Sequence, residues 1–316
     1  MPLVSIITPF YNAENTLAAA AASVLAQTFT DWEWILYNDC STDGGTVISH
    51  QLELQDERIK VYSSEVQTGP SNSRNNAVVK STGEFLAFLD ADDVWFPEYL
   101  QHRLHDLNRN PGAAFVYGPA VYFYKNRTRT QQTGILKTDF FEPTELINKF
   151  ISASASTPCP STAVVRRHAF DRIKGFRAAL VRGEDIAFFI ELNTHYGAYF
   201  QATPLVNYRR HADSATSRAN RAGDRLIKEL NYCFWLYSFA LEQQRSVWLR
   251  SAEYYYYAHL VEIAKEKPFF KSRILLFQYL SRSPLSFRAY LFYAFDCLLP
   301  FRLAKRVRYY LYRILS

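Results

Sequence analysis

Four short apolar runs, alternating with helix-forming segments over the first ninety residues, constrain this chain more than any other feature. Leu3–Thr8 is a β-branched run that stops at Pro9, and Trp32–Tyr37, Ile59–Tyr62 and Phe85–Leu89 repeat the pattern. Between them, Thr16–Gln27 is alanine-rich and helix-forming with Asn15 as the expected cap, and Thr46–Gln55 and Ser71–Lys80 read as further helices. Pro97–Leu107 follows as another helix. Strands separated by helices at this spacing predict a mostly parallel sheet with right-handed crossovers, an α/β fold.

In open sheets of that kind, ligands bind beyond the carboxyl ends of the strands. The polar residues of this chain gather there: Asn12 after the first run, Asp39 after the second, and Asp90, Asp92 and Asp93 after the fourth. Their convergence on one crevice is the main argument for a site. From Pro119 to Pro160 the pattern breaks into shorter pieces, as expected of antiparallel strands and loops over that crevice. Ser161–Arg167 and Leu205–Arg209 read as strands and Glu184–His195 as a helix. Beyond Ser217 the helical pattern is nearly continuous, over Arg225–Gln243, Val247–Lys265, Lys271–Leu280, Phe287–Leu298 and Leu303–Leu315. A boundary near residue 220 therefore divides a catalytic domain, 1–220, from a helical extension, 221–316.

Charge supports the division. Residues 221–316 hold 16 Lys and Arg against 7 Asp and Glu, whereas the whole chain has 36 against 30. Arg302, Lys305, Arg306 and Arg313 lie on one side of the last helix, opposite Leu303, Val307, Tyr310, Leu311 and Ile314. That basic amphipathic pattern favours an anionic membrane surface over the alternative, a helix packed by its apolar side on the first domain. A nucleic-acid partner is not expected, since no recognition motif accompanies the cations. The four cysteines are scattered, without metal-ligand spacing, which fits a reducing compartment. Neither a signal peptide nor an apolar run of about 20 residues is evident. The expectation is a cytoplasmic protein, peripheral on the inner face of the membrane.

Each motif by itself has an ordinary reading beside the chemical one. An Asp-x-Asp after a buried strand offers oxygen ligands to Mn²⁺ or Mg²⁺, and acids there also cap helices and shape turns. Asp39 suits a nucleobase contact or a turn. Arg74 stands near a helix start, where positive charge is disfavoured unless an anion lies close. Glu184 and Asp185 open a helix, a position the dipole favours without any catalytic role.

Taken in order, these segments resemble the family 2 glycosyltransferases. Val4-Ser5-Ile6-Ile7-Thr8-Pro9-Phe10-Tyr11-Asn12 is similar to that family's first strand and nucleotide loop. Asn38-Asp39-Cys40-Ser41-Thr42-Asp43-Gly44 is similar to its second-strand motif, with Cys40 where many members carry Gly or Asp. Gly69-Pro70-Ser71-Asn72-Ser73-Arg74-Asn75, Leu89-Asp90-Ala91-Asp92-Asp93, Gly183-Glu184-Asp185 and Tyr208-Arg209-Arg210-His211 resemble four further family motifs. The resemblance implies a GT-A fold, Rossmann-like and of the nucleotide-diphospho-sugar transferase type, from about Val4 to Ser217, with the helical C-terminal extension beyond it. It implies an inverting, metal-dependent hexosyl- or N-acetylhexosaminyltransferase, taking its sugar from a nucleotide-sugar donor, with UDP as the default. The acceptor would be a glycan or lipid-linked hydroxyl, in cell-surface polysaccharide or glycolipid synthesis. Pro9, Tyr11 and Asp39 would form the nucleobase slot, with Arg74 and Asp90 also on the donor. Asp92 and His211 would hold Mn²⁺ or Mg²⁺, Asp185 would be the catalytic base, and Glu184 would hold the acceptor or orient that base. The alternatives are a nucleotidyltransferase, disfavoured because Pro9–Asn12 is not a Gly-rich phosphate loop, and a catalytically dead sugar- or membrane-binding scaffold.

Overall fold

The computed structural model describes residues 1–124, 127–210 and 225–252, apart from 246 and 250. It divides into two units, Met1–Lys228 and Glu229–Ser316. The first is built on an eight-stranded sheet. β1 (Val4–Phe10), β2 (Trp32–Asn38), β3 (Ile59–Ser63) and β4 (Phe85–Phe88) pair in parallel, in the order β3-β2-β1-β4. The connecting helices are α1 (Leu17–Leu25), α2 (Gly45–Gln55) and α3 (Pro70–Val79). β2 is buried along its whole length and β4 likewise, as a sheet covered on both faces demands. The one acid within β2, Glu33, accepts hydrogen bonds from the Ser5 hydroxyl and from the Thr82 backbone and hydroxyl. These bonds outweigh its burial and hold its carboxyl below the usual range.

The chain then leaves the simple alternation. A two-residue strand β5 (Val94–Trp95) precedes α4 (Tyr99–Arg109), and β6 (Ala113–Tyr117) returns to the main sheet. β7 (Val121–Tyr124) and β8 (Arg127–Thr130) form a second sheet with β5 and a later strand, while β9 (Asp139–Phe141) reaches the far edge of the first. After α5 (Glu145–Ile151), β10 (Val164–Arg166) inserts antiparallel between β4 and β6. The sequence reading extended this strand over Ser161–Arg167. In the structure Pro160–Thr162 is a 3-10 turn, and helix α6 (Arg167–Ile173), not anticipated, begins immediately after the strand. α7 (Glu184–His195), β11 (Gly197–Phe200) and β12 (Val206–Arg209) complete the first unit's sheets, giving orders β3-β2-β1-β4-β10-β6-β11-β9 and β5-β12-β7-β8.

The expected cap of α1 also shifts: Thr16 occupies the position, with no side-chain capping bond. α8 (Arg225–Glu242) opens the C-terminal region, with Trp235 stacked on Phe239 within it, and residues 247–249 and 251–252 are helical where Val247–Lys265 was expected to begin. The helices expected after residue 252, including the basic amphipathic one over Leu303–Leu315, lie outside the described residues.

Candidate active site

The nucleotide side of the crevice is built by interlaced loops at the carboxyl ends of β1 and β2. The Asp39 amide donates to the Phe10 carbonyl at 2.8 Å, which joins the end of β2 to that of β1, where Pro9 and Tyr11 are half-buried. Asn12, with φ of 52°, accepts a bond from the Thr42 amide at 2.8 Å, and Asp43 accepts from the amides of Glu14 and Gly45. Asp39 itself is buried, and both of its oxygens also accept bonds from the protein. One oxygen accepts from the Thr68 amide (2.8 Å) and hydroxyl (2.9 Å), and the other from the Gly69 amide (2.9 Å). The acid thus ties the β2 end to the start of α3. Gly69 there has φ of 87°, a conformation that a side chain would strain, and Pro70 supplies the first helical residue.

Helix α3 carries the connection to the acidic side. Arg74, in its second turn, is almost wholly buried, with a 2.6 Å charge-assisted bond to Asp90 Oδ1 and Glu184 Oε1 at 3.8 Å. The anion expected near this arginine is therefore supplied by the protein's own carboxylates. Burial alone would lower its pKa. Asp90, Glu184 and Asp185 together more than offset that, so Arg74 stays charged. The next residue, Asn75, closes the same sequence motif but carried no assigned role. Its side chain donates to the Phe176 carbonyl (2.8 Å) and accepts from the Phe176 amide (2.9 Å). Phe176 stacks on Phe188 of α7 at 4.0 Å and meets Phe88 of β4 edge-on at 5.2 Å. Those aromatic contacts fix the N-terminus of α7, and with it Glu184 and Asp185, beside the end of β4.

At that N-terminus Gly183 adopts the left-handed conformation, and the two acids fill the first helical turn. Both carboxyls are pushed up, chiefly by burial. Glu184 reaches about 7, with the neighbouring Asp185 charge adding to the effect and Arg74 opposing it. Asp185 rises for the same first reason, against the Ile186 amide bonded to its Oδ1 at 2.8 Å.

The acids after β4 divide their roles. The Asp90 amide donates to Ser161 Oγ at 3.0 Å, while its side chain meets Arg74. Asp92 is half-buried at the turn, and its carbonyl accepts from Arg209 Nε at 3.2 Å. Asp93, whose ordinary reading is a cap or a turn, does something else. It is fully buried, and its Oδ1 accepts from the Arg209 amide at 3.1 Å, joining the turn to β12. Its Oδ2 is buried without a hydrogen-bond partner. Burial first, and then the charges of Asp92 and Asp90, raise its pKa far above the ordinary value. Two further residues of this wall were missed in the sequence. The Cys159 thiol is pushed up by burial and by Asp93, Asp90 and Asp185. Tyr208 is raised by burial and by Cys159 and the same aspartates. Cys159 carried no sequence signal, and Tyr208 was only part of a quoted segment. His211 lies outside the described residues, although Arg209 brings its strand to Asp92 and Asp93.

No three Asp, Glu, His or Cys side chains form a closed metal cluster among the described residues. A magnesium-like ion needs less, since one or two carboxylates and substrate phosphates complete its shell. The crowding of Asp90, Asp92 and Asp93 at one turn, which raises Asp93, and their oxygen-only donor set fit a hard cation at Asp92.

A mostly parallel sheet with acidic side chains beyond its strand ends at the switch point places the chain among the open α/β folds that bind ligands there. Within that class, the chain belongs to glycosyl transferase family 2, whose model matches residues 5–174. It is 40% identical over 116 residues to the UDP-Glc:alpha-D-GlcNAc-diphosphoundecaprenol beta-1,3-glucosyltransferase WfgD of Escherichia coli, a match covering 37% of this chain and 45% of that one. The chain thus aligns with less than half of that relative's length. In fold it is similar to TarS 1-349 of S. aureus in complex with UDP-GlcNAc, with a TM-score of 0.63, 19% identity, and 81% of this chain and 71% of the other covered. It is also similar to the mannosyltransferase PcManGT of Pyrobaculum calidifontis in complex with GDP-Man and Mn²⁺ (TM-score 0.55, 14% identity, 89% and 80% covered).

Proposed function

We propose that this glycosyltransferase moves a hexose or N-acetylhexosamine, with inversion, from a UDP-sugar to a hydroxyl of a lipid-linked, diphosphate-bearing glycan during surface polysaccharide assembly. One observation carries the reading: Arg74 gathers Asp90 and the α7 acids Glu184 and Asp185 around one point at the sheet's carboxyl edge. Donor carboxylates and an acid–base pair are thereby within one crevice. The acceptor and donor classes come from the printed activity of the WfgD relative and the UDP-GlcNAc complex of TarS.

In this mechanism Pro9, Tyr11 and Asp39 hold the nucleobase, and Asp90 holds the ribose side of the donor. Asp92, with His211, would hold Mn²⁺ or Mg²⁺, which neutralises charge on the departing diphosphate. Asp185 takes the proton of the acceptor hydroxyl as its oxygen bonds to the anomeric carbon and the carbon–diphosphate bond breaks on the opposite face. Its burial suits the task, because a raised pKa makes a carboxylate a stronger base. Glu184, held near neutrality, orients Asp185 or a second acceptor hydroxyl. Among the described residues no helix is long and apolar enough to cross a membrane. The basic balance of residues 221–316 supports peripheral attachment to the anionic inner face, where a lipid-linked acceptor resides.

The test is a panel of nucleotide-sugars scored by nucleoside diphosphate release with and without Mn²⁺. One UDP-sugar should be turned over, and only with the metal. No turnover of any donor, or undiminished turnover in chelator, would overturn the respective part.

A further inference from the structure

The second sheet carries a row of side chains that the donor site does not use. Tyr208 on β12 stands opposite Tyr122 on β7, and Tyr122 stands opposite Arg129 on β8. The two tyrosine rings meet edge to face at 5.6 Å, and the Arg210 guanidinium covers the Tyr122 ring at 4.2 Å. The Arg210 amide is anchored to the Phe123 carbonyl at 2.9 Å, so this placement is fixed by the sheet. At its inner end the row lies within electrostatic reach of the active-site wall. Tyr208 senses Cys159, Asp93, Asp90 and Asp92, and Tyr122 senses Cys159. Arg129 at its outer end and Arg210 over its middle are exposed, and neither has an ion-pair partner among the described residues.

Residues opposite one another on adjacent strands share a face, and strands lie about 4.8 Å apart. Two steps, from Tyr208 to Arg129, therefore span about 10 Å. A sugar ring and the phosphates attached to it fit that length. The order of chemistry matches as well: the Tyr208 ring at the inner end suits the apolar side of a sugar, and the guanidinium groups farther out suit its phosphates.

We propose that Tyr208, Arg210 and Arg129 form the acceptor track, with Tyr208 beside the acceptor sugar and the two arginines, Arg210 propped on the Tyr122 ring, on its diphosphate. The assignment of the anion to an acceptor rests on the function proposed above. The donor's own diphosphate is the competing source, and the test separates them.

The probes are a short-chain alkyl diphospho-N-acetylglucosamine and its neutral twin, the alkyl glycoside without phosphates, titrated calorimetrically into the full chain. Wild type should bind the charged probe at least tenfold tighter, a difference of about 1.4 kcal/mol. Arg129→Gln and Arg210→Gln should each reduce that preference severalfold, and the double variant should abolish it, while the double Arg→Lys variant keeps part. Arg129 is exposed on an edge strand, so its single variant remains informative if the double variant fails to fold. Excess UDP with Mn²⁺ should leave binding of the charged probe intact. Equal binding of the two probes, a preference retained in the double variant, or displacement by UDP would each overturn the proposal. If the charge preference is seen but no nucleotide-sugar is turned over, the anion track stands and the proposed transferase reaction fails instead.

Discussion

Glu184→Gln should make the ligand-free protein more stable at pH 8, although it removes a charge facing Arg74. The folded state pushes this carboxyl up to about 7 from an ordinary value of 4.5, chiefly through burial. Between those two values the folded state keeps a proton that the unfolded chain has released. The associated stability is fully present below pH 4.5 and is lost as pH rises through 7. At about 1.4 kcal/mol per pKa unit, the loss reaches about 3 kcal/mol by pH 8. Glutamine has nearly the same shape and never ionises, so the variant escapes that loss. Urea unfolding at pH 5 and pH 8 measures both proteins. The variant should match wild type near pH 5 and exceed it by up to about 3 kcal/mol at pH 8, equivalent to a melting shift of several degrees. A variant less stable than wild type at pH 8 would refute the reasoning. It would mean that the 3.8 Å approach of Arg74 outweighs burial and that Glu184 is an ordinary ion-pair partner.

Asp185→Asn should lower turnover by about 10²–10⁴-fold while donor affinity stays near normal. In wild type the acid limb of the pH–rate profile should sit above the ordinary carboxylate range, because burial raises Asp185, and activity should grow as pH climbs through it. Full activity in the variant would remove Asp185 from the role of base. Asp92→Ala should be inactive at every Mn²⁺ concentration in the same assay, and retained metal-dependent turnover would identify a different ligand. Asp39→Ala leaves the Thr68 and Gly69 amides without their acceptor, and should cost about 2 kcal/mol or more in urea unfolding while raising the donor KM. Unchanged stability would show that the loop is held elsewhere.

The strand–helix alternation of the first ninety residues was enough to define the parallel half-sheet β3-β2-β1-β4, because period and turn chemistry are local properties. The same locality explains why Asp39, Asp90, Asp92 and the Glu184-Asp185 pair were legible as candidates: strand ends and helix starts are marked in sequence. What they do to one another was not. Arg74 reads as a helix-start cation in conflict with its dipole until α3 is laid beside β4 and α7, where Asp90 and Glu184 resolve the conflict. Asn75 closes a motif without a role of its own until it pins Phe176, 101 residues away. Asp93 looks like a cap and is instead a buried acid bonded to β12, since only packing decides which of three adjacent aspartates turns inward. Antiparallel β10 and helix α6 escaped for a related reason: one apolar stretch ends in a turn, a strand and a helix whose limits tertiary contacts set. By itself the sequence determined which chemical groups stand at the carboxyl edge of the sheet. Tertiary structure alone decided their distances, and through burial and neighbouring charge it decided which of those acids hold their protons.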